Sequence, residues 1–159
     1  MHIISTRPIE DSIELFEKLN KLGHTTTHLP VIQIEKLETK KINLESYEAV
    51  IFTSSNAIRF MKIEKFNLRI KCFCVGRSTE ITAKQAGFIN TFSSEGTVDS
   101  LIELVIRAQD NKSGKLLYLS SEFISKDLDA DLIREGYLVD RISNYTSLPV
   151  EQIDIKTLD

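Results

Sequence analysis

Short apolar runs alternate along this chain with longer segments in which apolar residues recur every three or four positions. The runs predict β-strands, and the recurring positions predict amphipathic helices. The predicted strands cover residues 2–5, 25–34 (interrupted by Pro30), 47–52, 72–75, 89–92, 115–119 and 137–145. The predicted helices cover residues 11–22, 57–62, 80–86, 98–108 and 123–135. Strands that alternate with helices in this way indicate an α/β fold with a parallel sheet.

Capping residues and polar segments mark several element ends. Asp11, followed by Glu14 three residues later, has the pattern of a capping box at the start of the first helix. Gly23 follows the last apolar position of that helix, where a left-handed residue commonly ends it. Residues 35–46 are charged and polar, so we expect a crossing segment or linker there.

Hydroxyl-bearing residues follow three of the predicted strands. They are Thr53-Ser54-Ser55, Ser78-Thr79 and Ser120-Ser121. Right-handed crossovers bring such loops to one edge of a parallel sheet, where open α/β folds bind their ligands. A hydroxyl group at a helix N-terminus either caps the helix or helps the backbone N–H groups to bind an anion. The sequence leaves both roles open, so this edge is a candidate site for carboxylates or phosphates.

The composition narrows the class of protein. With 42% hydrophobic and 27% charged residues, the chain is typical of a globular protein and not of a disordered one. Its net charge of −3 excludes the overall basic field of a typical nucleic-acid binder. No apolar run approaches the ~20 residues that cross a membrane, and the N-terminus does not resemble a signal peptide. We therefore expect neither nucleic acid nor a membrane as a partner.

Cys72 and Cys74 stand two positions apart on a predicted strand, which points both side chains to one face. A disulfide there would need an awkward backbone, and two ligands do not make a zinc site. We interpret both as buried, reduced side chains, which favours a cytoplasmic location.

Other catalytic patterns are missing from the sequence. It has neither a glycine-rich dinucleotide loop nor a phosphate loop, and its histidines (His2, His24 and His28) are scattered without the order of a catalytic triad. A local run of basic residues comprises Lys62, Lys65, Arg69, Lys71 and Arg77. These side chains either form a solvated surface or attract an acidic substrate electrostatically. Tyr145, at the end of the last long strand, is either a packing residue or a weak phenolic acid.

A set of short motifs follows in a characteristic order along nearly the whole chain. The most specific stretch is residues 47–57, with the sequence Tyr-Glu-Ala-Val-Ile-Phe-Thr-Ser-Ser-Asn-Ala. The other pieces are Thr6-Arg7-Pro8, Gly23, residues 30–34, Val75-Gly76 with Thr79, Gly87, residues 116–119, and Leu128, Leu132 and Gly136 leading to Tyr145. In this order and spacing, the sequence resembles the uroporphyrinogen-III synthase family.

The resemblance implies two lobes, each a small flavodoxin-like α/β unit with a parallel sheet, and a cleft between them. Residues 1–34 would form the first part of lobe one, and residues 35–143 would form lobe two. Residues 144–159 would be the return connector and the start of the second part of lobe one. Lobe one is thus discontinuous. Because family members usually continue well past the position of Asp159, we expect it to be incomplete in this sequence.

The resemblance also implies a reaction. The family cyclises the linear tetrapyrrole hydroxymethylbilane to uroporphyrinogen III, with loss of water and inversion of the last pyrrole ring through a spiro intermediate. This is a hydro-lyase (carbon–oxygen lyase) step of porphyrin and haem biosynthesis that needs neither a metal nor an organic cofactor. The substrate carries many carboxylates, which suits helix N-termini and hydroxyl groups. The family protein is a monomer, and a partner chain that completes lobe one is an alternative for this sequence.

Site residues follow from the resemblance position by position. Tyr145 matches the family tyrosine that is proposed to help the hydroxyl group leave. The substrate-binding positions are Thr53, Ser54, Ser55 and Asn56 in a first cleft loop, Gly76 and Thr79 in a second, and Arg7 after the first strand. At Ser120-Ser121 the family more often has arginine or glycine, so this loop carries less weight.

Two other functions stay open. One is a non-catalytic or split family member that binds a tetrapyrrole, or a partner protein through first-helix residues such as Leu15, Phe16 and Leu19. The other is a generic flavodoxin-like binding module. A flavin would need a phosphate loop after the first strand, and Thr6-Arg7-Pro8 does not resemble one.

Overall fold

A computed structural model of the chain describes residues 1–67 and 69–151. Strands β1 to β10 are His2–Ser5, Thr25–His28, Ile32–Lys36, Ile42–Asn43, Ala49–Phe52, Ile63–Lys65, Lys71–Cys74, Thr91–Ser93, Lys115–Ser121 and Leu138–Pro149. Helices α1 to α5 are Ile13–Lys21, Ser55–Arg59, Arg77–Gln85, Val98–Ala108 and Leu128–Arg134. Short 3-10 helices occupy Ile9–Asp11 and Leu44–Ser46. In these described residues, the helices are too short or too polar to cross a membrane.

The central sheet has six strands in the order β3-β10-β9-β5-β7-β8. The pairs β5–β7, β5–β9, β7–β8 and β9–β10 are all parallel. β5 is buried along its whole length, as expected for a strand inside a parallel sheet that is covered on both faces. Two further parallel pairs, β1–β2 and β4–β6, form separate sheets. The predicted α/β fold with a parallel sheet is confirmed.

The chain forms two compact units. The larger unit is Lys36–Thr146, and the smaller unit joins Met1–Glu35 to the segment that begins at Ser147. The two boundaries fall inside β3 and β10, which are neighbours in the central sheet. The chain therefore leaves the smaller unit along one strand and returns to it along the adjacent strand.

The core of the larger unit is made by the central strands together with α4 and α5. Its fully buried members are Ala49, Ile51, Phe73, Leu101, Val105, Leu116, Leu128 and Leu132. α4 begins with a capping box, in which Thr97 Oγ1 accepts a hydrogen bond from Ser100 N at 3.1 Å. The cap starts the helix in the register that turns its apolar face toward the sheet.

The smaller unit has much less core. Its parallel pair β1–β2 contacts α1, a helix in which no residue is buried. Five large apolar side chains of this unit are between 40% and 72% exposed: Ile4, Ile9, Ile13, Leu15 and Leu22. A buried hydrogen bond of 2.8 Å between Ser5 Oγ and Ser12 Oγ joins β1 to the start of α1. The contact at this point is therefore polar.

Two predicted boundaries near the N-terminus are wrong, and the predicted interruption at Pro30 is confirmed. α1 begins after a 3-10 turn, so its N-cap is Ser12 and not Asp11, and Ser12 makes no capping hydrogen bond with its side chain. Pro30 separates two strands, β2 and β3, because proline has no N–H group for a sheet ladder. Residues 35–46 are not only a linker, since β4 lies within them and pairs with β6.

Boundaries around the candidate loops also differ from the prediction. α3 begins at Arg77, which places Ser78 and Thr79 in its first turn and not in a loop. β9 extends to Ser121, so Ser120-Ser121 belongs to a strand. α5 begins at Leu128, because residues 122–127 form the connection between β9 and the helix.

Candidate functional site

The carboxyl ends of β5, β7 and β9 meet at one edge of the larger unit's sheet. Phe52 pairs with Cys74 on one side and with Leu119 on the other. Thr53 follows β5 directly, and Ser121 is the last residue of β9. Residues at the ends of these strands are therefore close neighbours, at the edge where parallel α/β sheets bind ligands.

A pocket of about 200 Å³ lies at this edge. Its polar lining residues are Thr53, Tyr118, Ser121, Ser125, Lys126 and Tyr145, and its apolar lining residues are Val98, Phe123 and Ile124. Thr53 and Tyr145, which the sequence indicated on separate grounds, thus line one pocket. Tyr118 and Lys126 are new, because nothing in their sequence surroundings marks them as site residues.

Tyr118 and Thr53 form a hydroxyl pair in this pocket. Tyr118 Oη lies 3.2 Å from Thr53 Oγ1, and either group can be the donor. The Tyr118 side chain is 1% exposed. Burial raises the pKa of its phenol, and the hydrogen bond with Thr53 offsets part of that shift. Tyr118 is therefore neutral near pH 7 and acts as a hydrogen-bonding group.

An irregularity in β10 determines where Tyr145 lies. The register of β10 against β9 shifts between Ser143 and Tyr145, so that Tyr145 pairs with Ser121. The Tyr145 carbonyl oxygen accepts a hydrogen bond from Glu122 N at 2.9 Å. Such irregularities commonly re-orient a side chain next to a site. Tyr145 is 6% exposed, so its phenol combines a nearly buried position with access to the pocket.

The remaining residues of the first predicted loop have protein partners. Ser54 caps α2, and its Oγ accepts a hydrogen bond from Asn56 N at 3.2 Å. Ser55 Oγ accepts one from Thr82 Oγ1 at 3.1 Å, which links α2 to α3. Asn56 Oδ1 accepts one from Arg59 Nη1 at 2.7 Å. These contacts stabilise the start of α2, and a role of the three residues in substrate binding stays a prediction.

Gly76 and Thr79 lie at the start of α3. Gly76 is the N-cap residue, and a Cβ atom there would lie 3.4 Å from Gly96 Cα. Gly96 has a φ of +96°, in the region that favours glycine. The two glycines let the segments after β7 and β8 approach closely. Thr79 is 5% exposed within α3, and its predicted contact with substrate also stays a prediction.

Arg7 belongs to the smaller unit and lies two residues after the end of β1. Its side chain is exposed, and its carbonyl oxygen lies 2.8 Å from His28 Nε2. This contact joins the segment after β1 to the end of β2. The meeting of the guanidinium with a substrate carboxylate stays a prediction.

Arg141 supports the pocket from β10, and the sequence analysis missed it. Its Nε donates to Ser120 Oγ at 2.9 Å, and its Nη2 donates to the carbonyl oxygens of Ser121 and Glu122 at 3.0 and 3.1 Å. The guanidinium therefore fixes the end of β9. The signal in the sequence is that this arginine lies within the predicted strand over residues 137–145.

Lys126 brings a positive charge to the pocket. Its ammonium donates a hydrogen bond to Asp99 and lies 3.6 Å from Asp131 Oδ2. The hydrogen bond to Asp99, above all, raises the pKa of Lys126. Asp131 also pairs with Arg134. Two cations and two anions therefore meet in one ion-pair network beside the pocket.

Both cysteines lie in β7, away from the pocket lining. Their Sγ atoms are 3.8 Å apart and buried, which confirms the prediction of buried side chains. The hydrogen bond to Cys74, together with burial, raises the pKa of the Cys72 thiol, so it stays protonated. Across residues 1–67 and 69–151, no three His, Cys, Asp or Glu side chains are grouped to hold a metal ion.

Similarity to a known family shows which proteins this chain is related to. The family model described as Uroporphyrinogen-III synthase HemD matches residues 13–158. The chain belongs to the uroporphyrinogen-III synthase family. This confirms the resemblance noted in the sequence and places the chain among proteins of porphyrin and haem biosynthesis.

Individual relatives agree with the uroporphyrinogen-III synthase assignment. The chain is 27% identical over 159 residues to the Porphyrin biosynthesis protein HemD of Ruminiclostridium josui, covering 91% of this chain and 32% of that protein. It is similar in structure to the uroporphyrinogen-III synthetase of Helicobacter pylori, with a TM-score of 0.62, 17% identity, and coverage of 95% of this chain and 63% of that one. A mutant uroporphyrinogen III synthase of Thermus thermophilus gives a TM-score of 0.54, 17% identity, and coverage of 94% and 64%.

The two structural likenesses support the fold. The chain spans about a third of the length of the curated relative and just under two thirds of the length of these solved synthases. The uroporphyrinogen-III synthase fold in those structures thus includes a part that this sequence does not match.

Proposed function

We propose that this chain acts in the cytoplasm as a uroporphyrinogen-III synthase, cyclising hydroxymethylbilane to uroporphyrinogen III. The observation that carries the proposal is the pocket at the carboxyl edge of the sheet, where Tyr145 and Thr53 lie together with Tyr118. Tyr145 and Thr53 are the site positions that the resemblance in the sequence implies, and both fall within residues 13–158, which the family model matches. A hydroxyl-rich pocket suits a substrate with many carboxylates and one departing hydroxyl group.

In this proposal, Tyr145 supplies the proton for the departing group. The C–O bond of the hydroxymethyl group breaks as the phenol donates its proton, and water leaves. The electron pair of the neighbouring pyrrole nitrogen stabilises the carbon that loses the hydroxyl group. A phenol held in a mostly buried position is suited to this transfer, because low exposure strengthens its hydrogen bond to the hydroxyl oxygen.

Inversion of the last pyrrole ring then depends more on holding the reacting groups of the substrate in position than on a second acid catalyst. The electrophilic carbon bonds to the substituted position of the last pyrrole ring, and the spiro intermediate opens and closes again with that ring inverted. A ring carbon releases a proton to restore the aromatic pyrrole, and the Tyr145 phenolate takes up a proton. One water molecule is lost and no electrons are transferred. Fixed hydroxyl groups such as the Thr53–Tyr118 pair lower the barrier by holding the reacting ends in place.

The decisive experiment is a cyclisation assay with freshly prepared hydroxymethylbilane. The substrate closes by itself to the type I isomer, so the fraction of type III is measured after oxidation and separation of the uroporphyrin isomers. The proposal expects type III above the level given by heat-denatured chain. Type I alone, at every concentration of folded chain, would contradict catalysis by this polypeptide.

A second candidate function rests on the exposed apolar side chains of the smaller unit. Under this alternative, the chain is a non-catalytic or split family member that binds a tetrapyrrole and works with further polypeptide. Support comes from Leu15, 40% exposed on a helix that has no buried residue, and from Ile4, 47% exposed on β1. Where exposed apolar side chains form a contiguous patch, the patch commonly marks a protein interface.

Light scattering tests this alternative. If the apolar side chains of the smaller unit bind protein, the mean mass of the wild-type chain increases with concentration, and Leu15→Glu abolishes the increase. Leu138→Glu is the matched control, because Leu138 is 51% exposed but lies in the larger unit. A mass that is independent of concentration, together with type III formation, would favour a self-sufficient monomeric enzyme.

A further inference from the structure

The pocket at the end of β9 contains more hydrogen-bond donors than the proton transfer by Tyr145 needs. Three hydroxyl groups and one ammonium group line it besides Tyr145 and Ser125. We call this set the donor cluster: Thr53, Tyr118, Ser121 and Lys126. The hydroxyl groups come from the residue after β5, the middle of β9 and the end of β9, so the sheet itself sets their spacing.

Ser121 has a buried hydroxyl group without a protein partner. The residue is 8% exposed, and its Oγ makes no hydrogen bond within residues 1–67 and 69–151. The neighbouring Ser120 differs, since its Oγ donates to the Ser121 carbonyl oxygen at 2.9 Å and accepts from Arg141 Nε at 2.9 Å. Buried polar groups are normally paired, so an unpaired one beside a pocket points to a ligand. Rotation about the Cα–Cβ bond moves a serine Oγ between staggered positions at low cost.

The Thr53–Tyr118 pair leaves one hydroxyl hydrogen for a ligand. Two hydroxyl groups carry two hydrogens, and the bond of 3.2 Å between them uses one. An ammonium group has three N–H donors, and the contacts of Lys126 with Asp99 and Asp131 account for two. The donor cluster therefore offers donors from Ser121, from the hydroxyl pair and from Lys126. Such a set binds an acceptor-only group, and a carboxylate is the common one.

The size of the pocket limits what enters it. Pockets that enclose a whole drug-sized ligand measure about 300–1,000 Å³. The present pocket of about 200 Å³ is smaller, so it admits one arm of a large molecule and not its ring system. At the pocket, Phe123 is 70% exposed in the connection after β9. An exposed aromatic ring there provides an apolar surface for the part of the ligand that stays outside.

We propose that the donor cluster is a subsite for one carboxylate arm of the substrate, with Ser121 and Lys126 as the residues that bind it. The inference rests on the proposed function, because the acidic tetrapyrrole supplies the carboxylate. It assigns a binding role to the end of β9, which the family resemblance did not indicate. Tyr145 then meets the departing hydroxyl group of a substrate that is anchored beside it.

The test is a fluorescence titration of the full chain with uroporphyrin III, a stable octacarboxylate that needs no turnover. Ser121→Ala is expected to weaken binding about tenfold, the effect of one lost hydrogen bond to a charged group. Lys126→Met is expected to weaken it by a similar factor. The matched controls lie outside the pocket and should bind as the wild type does: Ser113→Ala, in an exposed turn, and Lys84→Met, on α3. Thermal unfolding of each variant verifies that the fold is intact.

Each outcome separates this inference from the proposed function. Wild-type affinity in both Ser121→Ala and Lys126→Met overturns the subsite, and so does failure of the wild-type chain to bind uroporphyrin. Neither result touches the synthase proposal, which is decided by formation of the type III isomer. Conversely, weakened binding in the two variants supports the subsite even if the chain makes only type I.

Discussion

The larger and smaller units are built from the same kinds of element but differ in what surrounds them. β5 of the larger unit has a parallel neighbour on each side and is buried throughout. β1 of the smaller unit pairs with β2, and α1 contacts this pair without burying any of its residues. Parallel sheets are stable when both faces are covered. The comparison indicates that the larger unit carries most of the stability and also the described pocket.

Hydrogen exchange should give the largest contrast between the units. Amides of β5, β7 and β9 are expected to exchange only through global unfolding, which costs about 5–15 kcal/mol in typical domains. Amides of β1 and α1 are expected to open locally at a cost lower by several kcal/mol. Mass spectrometry of exchanged peptides measures this difference. Equal protection in both units would contradict the comparison.

A matched pair of leucine truncations sharpens the contrast. Leu116 is fully buried in the larger unit, whereas Leu15 is 40% exposed in the smaller unit. Leu116→Ala is expected to reduce the free energy of unfolding by about 2–5 kcal/mol, because it leaves a cavity. Leu15→Ala should change it by less than about 1 kcal/mol. Urea titration measures both, and a cost for Leu15→Ala as large as that for Leu116→Ala would show that the smaller unit has a core of its own.

Tyr145→Phe tests whether the pocket of the larger unit is catalytic. Removing the phenolic hydroxyl should lower the rate of type III formation about 100-fold, the lower end for loss of a general acid. The ring remains, so the melting temperature should hardly change. Tyr47→Phe is the control, since the Tyr47 hydroxyl donates to Asp140 Oδ2 outside the pocket lining. An unchanged rate in Tyr145→Phe removes this residue from the mechanism.

The smallest expected effect is a loss of stability at alkaline pH. All four tyrosines lie between residues 36 and 146, so tyrosinate absorbance reports on the larger unit alone. Burial raises the pKa of Tyr118 above its ordinary value of 10.0. The unfolded chain then loses the proton first, so this contribution to stability is complete below pH 10 and declines as the pH rises further. Thr53→Val should raise that pKa further, and a lower pKa in this variant would contradict the role of the pair.

The sequence predicted elements well where local signals and burial agreed. The helical spacing of apolar positions predicts α4 at residues 98–108, where the structure has it, and the capping box at Thr97 fixes the same start. β9 was predicted too short, because Ser120 and Ser121 are polar yet lie in the sheet with 0% and 8% exposure. Polar residues at the end of a strand look like loop residues in the sequence, even when hydrogen bonding or ligand contact keeps them buried in the sheet. The end of such a strand is therefore predicted too early.

The candidate site was only partly predictable for a similar reason. Thr53 and Tyr145 were indicated by the family motifs, and the structure brings both to one pocket. Tyr118 lies within an apolar run, so its sequence surroundings predict core packing; only the register of β5 against β9 places its hydroxyl group beside Thr53. Lys126 depends on the path of the connection after β9, which sequence periodicity does not determine.

Because β3 and β10 are neighbours in the sheet, the larger unit is suited to insertion into another protein and to circular permutation. Leu37 N donates to the Asn144 carbonyl oxygen at 3.0 Å, so the two ends of the larger unit meet. A module whose ends meet can be inserted into a host, or excised from it, without spanning a gap. Residues 36–146 are therefore a natural unit for transplantation, and joining their ends by a short loop would give circular permutants that keep the pocket.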